Sequence, residues 1–194
     1  LFKNKYLYES PLHTPQADRR NRLIVEVNVL IGVPREIKTQ EFRVGMTPSA
    51  AREAVAHGHH VLIETQAGAG IGASDNDYRN AGAEVANSAD EVFAKAELMV
   101  KVKEPQAVER RMLRENQVLF TYLHLAPDPE QTRDLMNSGA ICIAYETVTA
   151  VGGRLPLLAP MSEVAGRMSI QCGAHCLEKS TGGMGALLGG IPGV

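Results

Sequence analysis

Three polar residues stand where chemistry could be done. Arg43 ends the run Glu36-Ile37-Lys38-Thr39-Gln40-Glu41-Phe42-Arg43, Lys103 follows Leu98-Met99-Val100-Lys101-Val102, and His124 follows Val118-Leu119-Phe120-Thr121-Tyr122-Leu123. Each lies beyond a short apolar run. An arginine can hold a carboxylate with two parallel hydrogen bonds. An imidazole exchanges a proton near neutral pH. Singly, each residue has an ordinary explanation. Arg43 reads as a solvated loop charge, and Lys103 as half of a weak surface pair with Glu104. His124, between Leu123 and Leu125, reads as a core histidine bonded to a backbone carbonyl. Together, two cations and an imidazole after three different strands describe a small-anion site with a proton donor beside it. Open α/β sheets bind ligands outside the carboxyl ends of their strands.

The elements that must position these groups follow from the pattern. Short apolar runs bounded by turn residues read as buried parallel strands at 27–33, 61–63, 98–102, 118–122 and 140–144. A further short apolar run spans 155–158. Helices are expected at 49–57, capped by Thr47 with Pro48 behind it, and from Ser74 to Gly82, where Asp77 makes a near capping box. More helices are expected at 89–96, at 107–113, from Asp128-Pro129 to Gly139, and from a Ser162 cap to about Lys179. Strands alternating with helices through short connections argue for a parallel α/β sheet.

Two further motifs carry less. Gly68-Ala69-Gly70-Ile71-Gly72-Ala73 formally fits a dinucleotide fingerprint. However, its helix starts late, with Asp75 and Asp77 in the first turn, where they would repel a pyrophosphate. It reads as a tight glycine loop under the sheet. Cys172 and Cys176 share a helix face beside His175, but no third and fourth metal ligand is in evidence, so they read as small packing residues. No metal is expected.

The composition is that of an ordinary globular protein: 194 residues, 44% hydrophobic, 22% charged, net charge −2. That balance gives no electrostatic case for nucleic acid or a membrane surface. No apolar run is long enough for a transmembrane helix. Three cysteines without zinc-site spacing fit small core residues of a reducing cytosol, so a cytoplasmic location is expected. Residues 1–28 are basic and aperiodic and read as an extra, disordered N-terminal segment. The chain starts at Leu1 rather than methionine and stops in a glycine-rich stretch, which reads as a fragment.

The runs Gly32-Val33-Pro34-Arg35-Glu36-Ile37-Lys38, Glu41-Phe42-Arg43-Val44, Lys101-Val102-Lys103-Glu104-Pro105, Leu119-Phe120-Thr121-Tyr122-Leu123-His124-Leu125-Ala126, Ala144-Tyr145-Glu146-Thr147 and Leu157-Leu158-Ala159-Pro160-Met161-Ser162-Glu163-Val164-Ala165-Gly166-Arg167 closely resemble the N-terminal half of bacterial NAD-dependent alanine dehydrogenases. The resemblance runs from about Val29 to Val194. It implies a Rossmann-like (flavodoxin-like) substrate domain over 29–160, with an interdomain helix and the start of an NAD-binding domain over 161–194. It implies reversible oxidative deamination of L-alanine to pyruvate and ammonia, with NAD as cofactor. Arg43 and Lys103 would hold the substrate carboxylate and carbonyl, His124 would be the general acid/base, and Met161 and Ser162 would lie near the cofactor. It also implies a homo-oligomer, hexamer or dimer, in the full-length enzyme. The departures are a true G-x-G-x-x-G strand-turn, which would follow Val194, the catalytic aspartate of that domain, the C-terminal helices that complete the first domain, and Met184 where the pattern has arginine. From these the isolated chain is expected to be inactive, with apolar sheet surface left bare. The alternatives are a non-catalytic remnant or pyruvate-binding module, and a subunit like the α subunit of proton-translocating transhydrogenase.

Overall fold

The computed structural model describes residues 28–193. The expectation for residues 1–28 therefore lies, apart from Asn28, outside the described residues. Six strands form one all-parallel sheet: β1 (Leu30–Val33), β2 (His60–Glu64), β3 (Glu84–Ala86), β4 (Leu98–Val100), β5 (Val118–Thr121) and β6 (Ile141–Ala144), in the order β3-β2-β1-β4-β5-β6. β3 is absent from the sequence expectation. It has three residues, Glu84-Val85-Ala86, too few to alternate convincingly, and it sits on the sheet edge. Without β3 the remaining strands run in the flavodoxin-like 2-1-3-4-5 order; with it the order is the Rossmann 3-2-1-4-5-6. Either way the chain reverses direction across the sheet between β1 and β4, which leaves a crevice at their carboxyl ends.

The helices α1 (Pro48–Ala56), α2 (Asp75–Asn80), α3 (Ala89–Lys95), α4 (Ala107–Arg110) and α5 (Pro129–Ser138) fill the crossovers. Local chemistry sets their starts. Thr47 accepts the Ala50 N–H, Ser74 and Asp77 form a complete capping box, Ser88 accepts from Glu91, and Asp128 from Gln131. Alternation within each strand divides the core between two faces. Ile31, Val33, Val61, Ile63 and Tyr78 pack on one face, and Leu62, Val92, Phe93, Met99 and Leu119 on the other. Over β5 and β6 the first face is only partly covered, by Tyr145 packed edge-on against Phe120 at 4.3 Å between centroids. Phe120 and Ile143 line an apolar groove of about 530 Å³ there.

Several boundaries differ from the sequence reading. β4 ends at Val100 and β5 at Thr121, although the Lys101 N–H still donates to the Phe120 carbonyl and the Tyr122 N–H to the Val102 carbonyl just beyond them. α4 is a single turn. The long helix, α6 (Ala159–Leu177), starts three residues before the expected Ser162 cap. Pro160 occupies its first turn, where the missing N–H costs nothing, and the Ser162 hydroxyl is turned back to the Leu158 carbonyl at 3.4 Å. No residue of α6 is buried. Cys172 and Cys176 are therefore exposed rather than core residues, and Cys142 is half-buried.

Candidate functional site

A cleft of about 510 Å³ opens at the carboxyl ends of β1, β4 and β5, where the strand order reverses. Its walls come from Arg43 and Gly45 after β1, Ile71 after β2, Lys101 and Val102 after β4, Tyr122 after β5, and Tyr145 and Met161 from the C-terminal part of the chain. The backbone at Gly45 lies against β4, so that a Cβ there would stand 2.4 Å from the Val100 carbonyl oxygen. The glycine loop is not beneath the sheet, as the sequence reading had it. It follows β2 at the carboxyl edge, puts Ile71 on the cleft wall and carries Gly70 against the loop of Arg43. A Cβ at Gly70 would lie 2.2 Å from the Phe42 carbonyl oxygen. The loop's close approach is thus spent on protein backbone. The start of α2 is equally engaged: Asp75 accepts from the Thr65 hydroxyl at 2.6 Å and the Gln66 N–H at 2.8 Å. The cavity beside this loop, about 240 Å³, carries the Glu36 and Glu41 carboxylates in its lining, which disfavour a pyrophosphate there.

Arg43 is held by a carboxylate two residues before it. Its Nε donates to Glu41 Oε1 at 2.7 Å and its Nη2 to Glu41 Oε2 at 2.6 Å, while the Arg43 N–H also donates to Oε1 at 2.9 Å. Hydrogen bonding from Arg43 holds the Glu41 carboxyl below its ordinary pKa, and the charge on Lys103 adds to the effect. This fork leaves Nη1, which lies 3.1 Å from the Met161 sulfur. Of the two residues expected near a cofactor, Met161 therefore lies on the cleft wall beside Arg43. Ser162 does not line it and is exposed.

Lys103 and His124 flank the cleft without lining it. Among the described residues no carboxylate lies within ion-pair distance of Lys103. Glu104, its expected partner, pairs with Lys38 instead. The Thr121 hydroxyl fixes the segment by donating to the Lys103 carbonyl at 2.9 Å. His124 is exposed, contrary to a core histidine between two leucines. Only Leu123 points inward, and Leu125 is also exposed. The His124 ring stacks on Tyr122, a cleft-wall residue, with centroids 5.9 Å apart and planes 11° from parallel. Its backbone is left-handed, with φ +47°.

Three groups had escaped the sequence reading. Lys101 is fully buried and pairs with Glu109 at 2.7 Å and Glu36 at 3.2 Å, and Glu36 also accepts the Val102 N–H at 2.7 Å. Burial pushes the Glu36 carboxyl above its ordinary pKa. The only sequence signal was a lysine inside an otherwise apolar strand run. Tyr122 donates through its hydroxyl to the Leu157 carbonyl at the base of α6. Glu146 accepts backbone N–H groups from the His124 segment. No described helix is long and apolar enough to cross a membrane. No group of three or more metal-ligating side chains is found among the described residues.

A doubly wound parallel sheet with an arginine-bearing cleft at its switch point defines an α/β domain of the Rossmann-like class. The family model "alanine dehydrogenase/PNT, N-terminal domain" matches residues 32–165, and the chain belongs to that family. It is 57% identical over 164 residues to the alanine dehydrogenase of Halomonas elongata, covering 84% of this chain and 44% of that protein. It is 53% identical over 166 residues to the alanine dehydrogenase of Mycolicibacterium smegmatis, covering 86% of this chain and 45% of that protein. A solved structure of an L-alanine dehydrogenase is similar with a TM-score of 0.77 at 55% identity, over 85% of this chain and 45% of that one. The transhydrogenase structure from Sinorhizobium meliloti has a TM-score of 0.59 at 24% identity over 63% of this chain and 36% of that one, a likeness of fold alone. The chain thus spans under half the length of the curated relatives it matches.

Proposed function

We propose that this chain supplies the substrate-binding part of an alanine dehydrogenase, which interconverts L-alanine and pyruvate plus ammonia. The observation that carries this reading is the Arg43 guanidinium at the cleft wall. Glu41 occupies Nε and one Nη2 hydrogen, and Nη1 donates to the Met161 sulfur, a weak acceptor that a carboxylate can displace. A substrate carboxylate fits against that remaining edge, and its binding energy fixes the α-carbon in the cleft. Lys103, one residue beyond the cleft-lining Val102, supplies the second positive charge, for the oxygen that becomes the pyruvate carbonyl. NAD, when bound, supplies the hydride acceptor. Met161, on the cleft wall beside Arg43, would contact that cofactor. Once the substrate is an imine, His124 takes a proton from the attacking water. It then delivers that proton to the departing amine and takes up the hydroxyl proton as the carbinolamine collapses to the ketone.

The same reading includes a substrate domain over 29–160 and an interdomain helix over 161–194. α6, without a buried residue, suits a connecting role. It also includes a cytoplasmic location, supported by three free cysteines, and a homo-oligomeric state, hexamer or dimer. A thermal melt with and without millimolar pyruvate tests the site. Binding to the folded state raises the transition by RT ln(1 + [L]/Kd). An upward shift that His124→Ala reduces is expected, whereas an unchanged melt at every pyruvate concentration rejects the proposal.

A further inference from the structure

The His124 backbone is held in an unfavourable place. With φ at +47° it occupies the left-handed region, which disfavours a residue bearing a Cβ. Such a conformation persists only where its surroundings over-determine it. Here they do. Glu146, in the turn of 3₁₀ helix after β6, sends its carboxylate across to β5's exit. Oε1 accepts the His124 N–H at 2.8 Å and the Leu123 N–H at 3.0 Å, and Oε2 accepts the Leu123 N–H at 3.3 Å. Gln131 on α5 donates to the Leu123 carbonyl at 2.6 Å from the other side. The Leu123 carbonyl and the His124 N–H belong to one peptide plane, so Gln131 and Glu146 hold that plane by its two opposite edges and fix the point from which His124 departs. Charge-assisted bonds of this kind are the strong ones.

We infer that Glu146 is the positioning residue for His124: its carboxylate holds the peptide plane from which His124 departs, and so sets the imidazole against Tyr122. This rests on the reading of His124 as acid/base given above. Glu146 touches no reacting atom in this role. It acts only through the histidine.

The test has one readout that needs no ligand and one that does. In the ¹H–¹³C NMR spectrum of the full chain, the His124 ring signal, assigned by its loss in His124→Ala, carries the ring-current shift of Tyr122. In Glu146→Ala it is expected to move to the position of a free, solvent-exposed imidazole. In Glu146→Gln, which keeps one acceptor oxygen, it should move part of the way. The second readout is a double-mutant cycle on pyruvate affinity. Glu146→Ala is expected to weaken binding about tenfold in the wild-type background and not at all in His124→Ala. A chain in which Glu146→Ala does not fold is replaced by Glu146→Gln in both measurements. An unmoved ring signal, or additive effects of the two substitutions, overturns the inference. If His124→Ala leaves pyruvate affinity unchanged, the acid/base reading of the site fails instead, and the ring signal still decides what Glu146 does.

Discussion

Replacing Lys101 by methionine tests what the buried charges behind the cleft contribute. The lysine side chain is 0% exposed, and its partners Glu36 and Glu109 are 2% exposed. At 3.2 and 2.7 Å, with an effective dielectric of about 20, the two attractions amount to about 5 and about 6 kcal/mol. Desolvating three ions costs several kcal/mol each, so the intact triad is close to neutral for stability. Lys101→Met removes the attraction and leaves two carboxylates buried side by side. The expected loss is about 3–5 kcal/mol at pH 7, the range for breaking a buried pair. At roughly 2–4 °C per kcal/mol for a chain of this size, Tm falls by about 6–20 °C. Urea unfolding followed by circular dichroism at pH 7 and pH 5 measures this. The sign with pH is fixed. Burial already raises the Glu36 pKa, so its stabilising protonation is complete below the ordinary glutamate value and is lost as pH rises through the folded value. Without Lys101 that window widens upward, and the variant regains part of its stability at pH 5. The triple change Glu36→Gln, Lys101→Met, Glu109→Gln is expected within about 2 kcal/mol of wild type, because no buried charge remains. A Lys101→Met chain within about 1 kcal/mol of wild type at pH 7, or one insensitive to pH, refutes the reasoning.

Three other outcomes are expected. Arg43→Lys loses the fork that Glu41 grips, and pyruvate affinity read from the melt shift falls tenfold or more, about 1.4 kcal/mol per decade; an undiminished shift would mean that the fork is irrelevant. Gly70→Ala drives a Cβ into the Phe42 carbonyl, so stability drops by about 1–3 kcal/mol and the displaced Arg43 loop binds pyruvate less well, both visible in one titrated melt. Burial pushes the Tyr78 hydroxyl, which donates to the Met46 carbonyl at 2.9 Å, up to about 12. The folded state keeps that proton longer than the unfolded one, so the contribution is present below the ordinary tyrosine pKa and lost as pH rises toward the folded value. Burial raises Tyr145 and Tyr122 as well, so absorbance titration should show several late tyrosines, and Tyr78→Phe should remove one of them.

The sequence by itself determined the class of fold and most element starts. Apolar runs, capping residues at Thr47, Ser74 and Asp128, and glycine stops at Gly58, Gly82 and Gly139 are local signals. They depend only on a residue and its near neighbours. It also singled out Arg43, Lys103 and His124, because charged or titratable groups after apolar runs are visible without coordinates. Tertiary structure decided the rest. The three-residue edge strand Glu84–Ala86 exists because β2 offers it a free ladder, and no period is legible in so short a piece. The Lys101 triad joins residues 65 and 8 positions apart in the chain, and Glu146 reaches His124 across 22 positions. Which carboxylate meets which donor is set by strand order, and strand order is not a local property. The Glu41 grip on Arg43 spans two positions and is local, whereas the Lys101 triad and the Glu146 bonds to the His124 segment became visible only in the folded sheet.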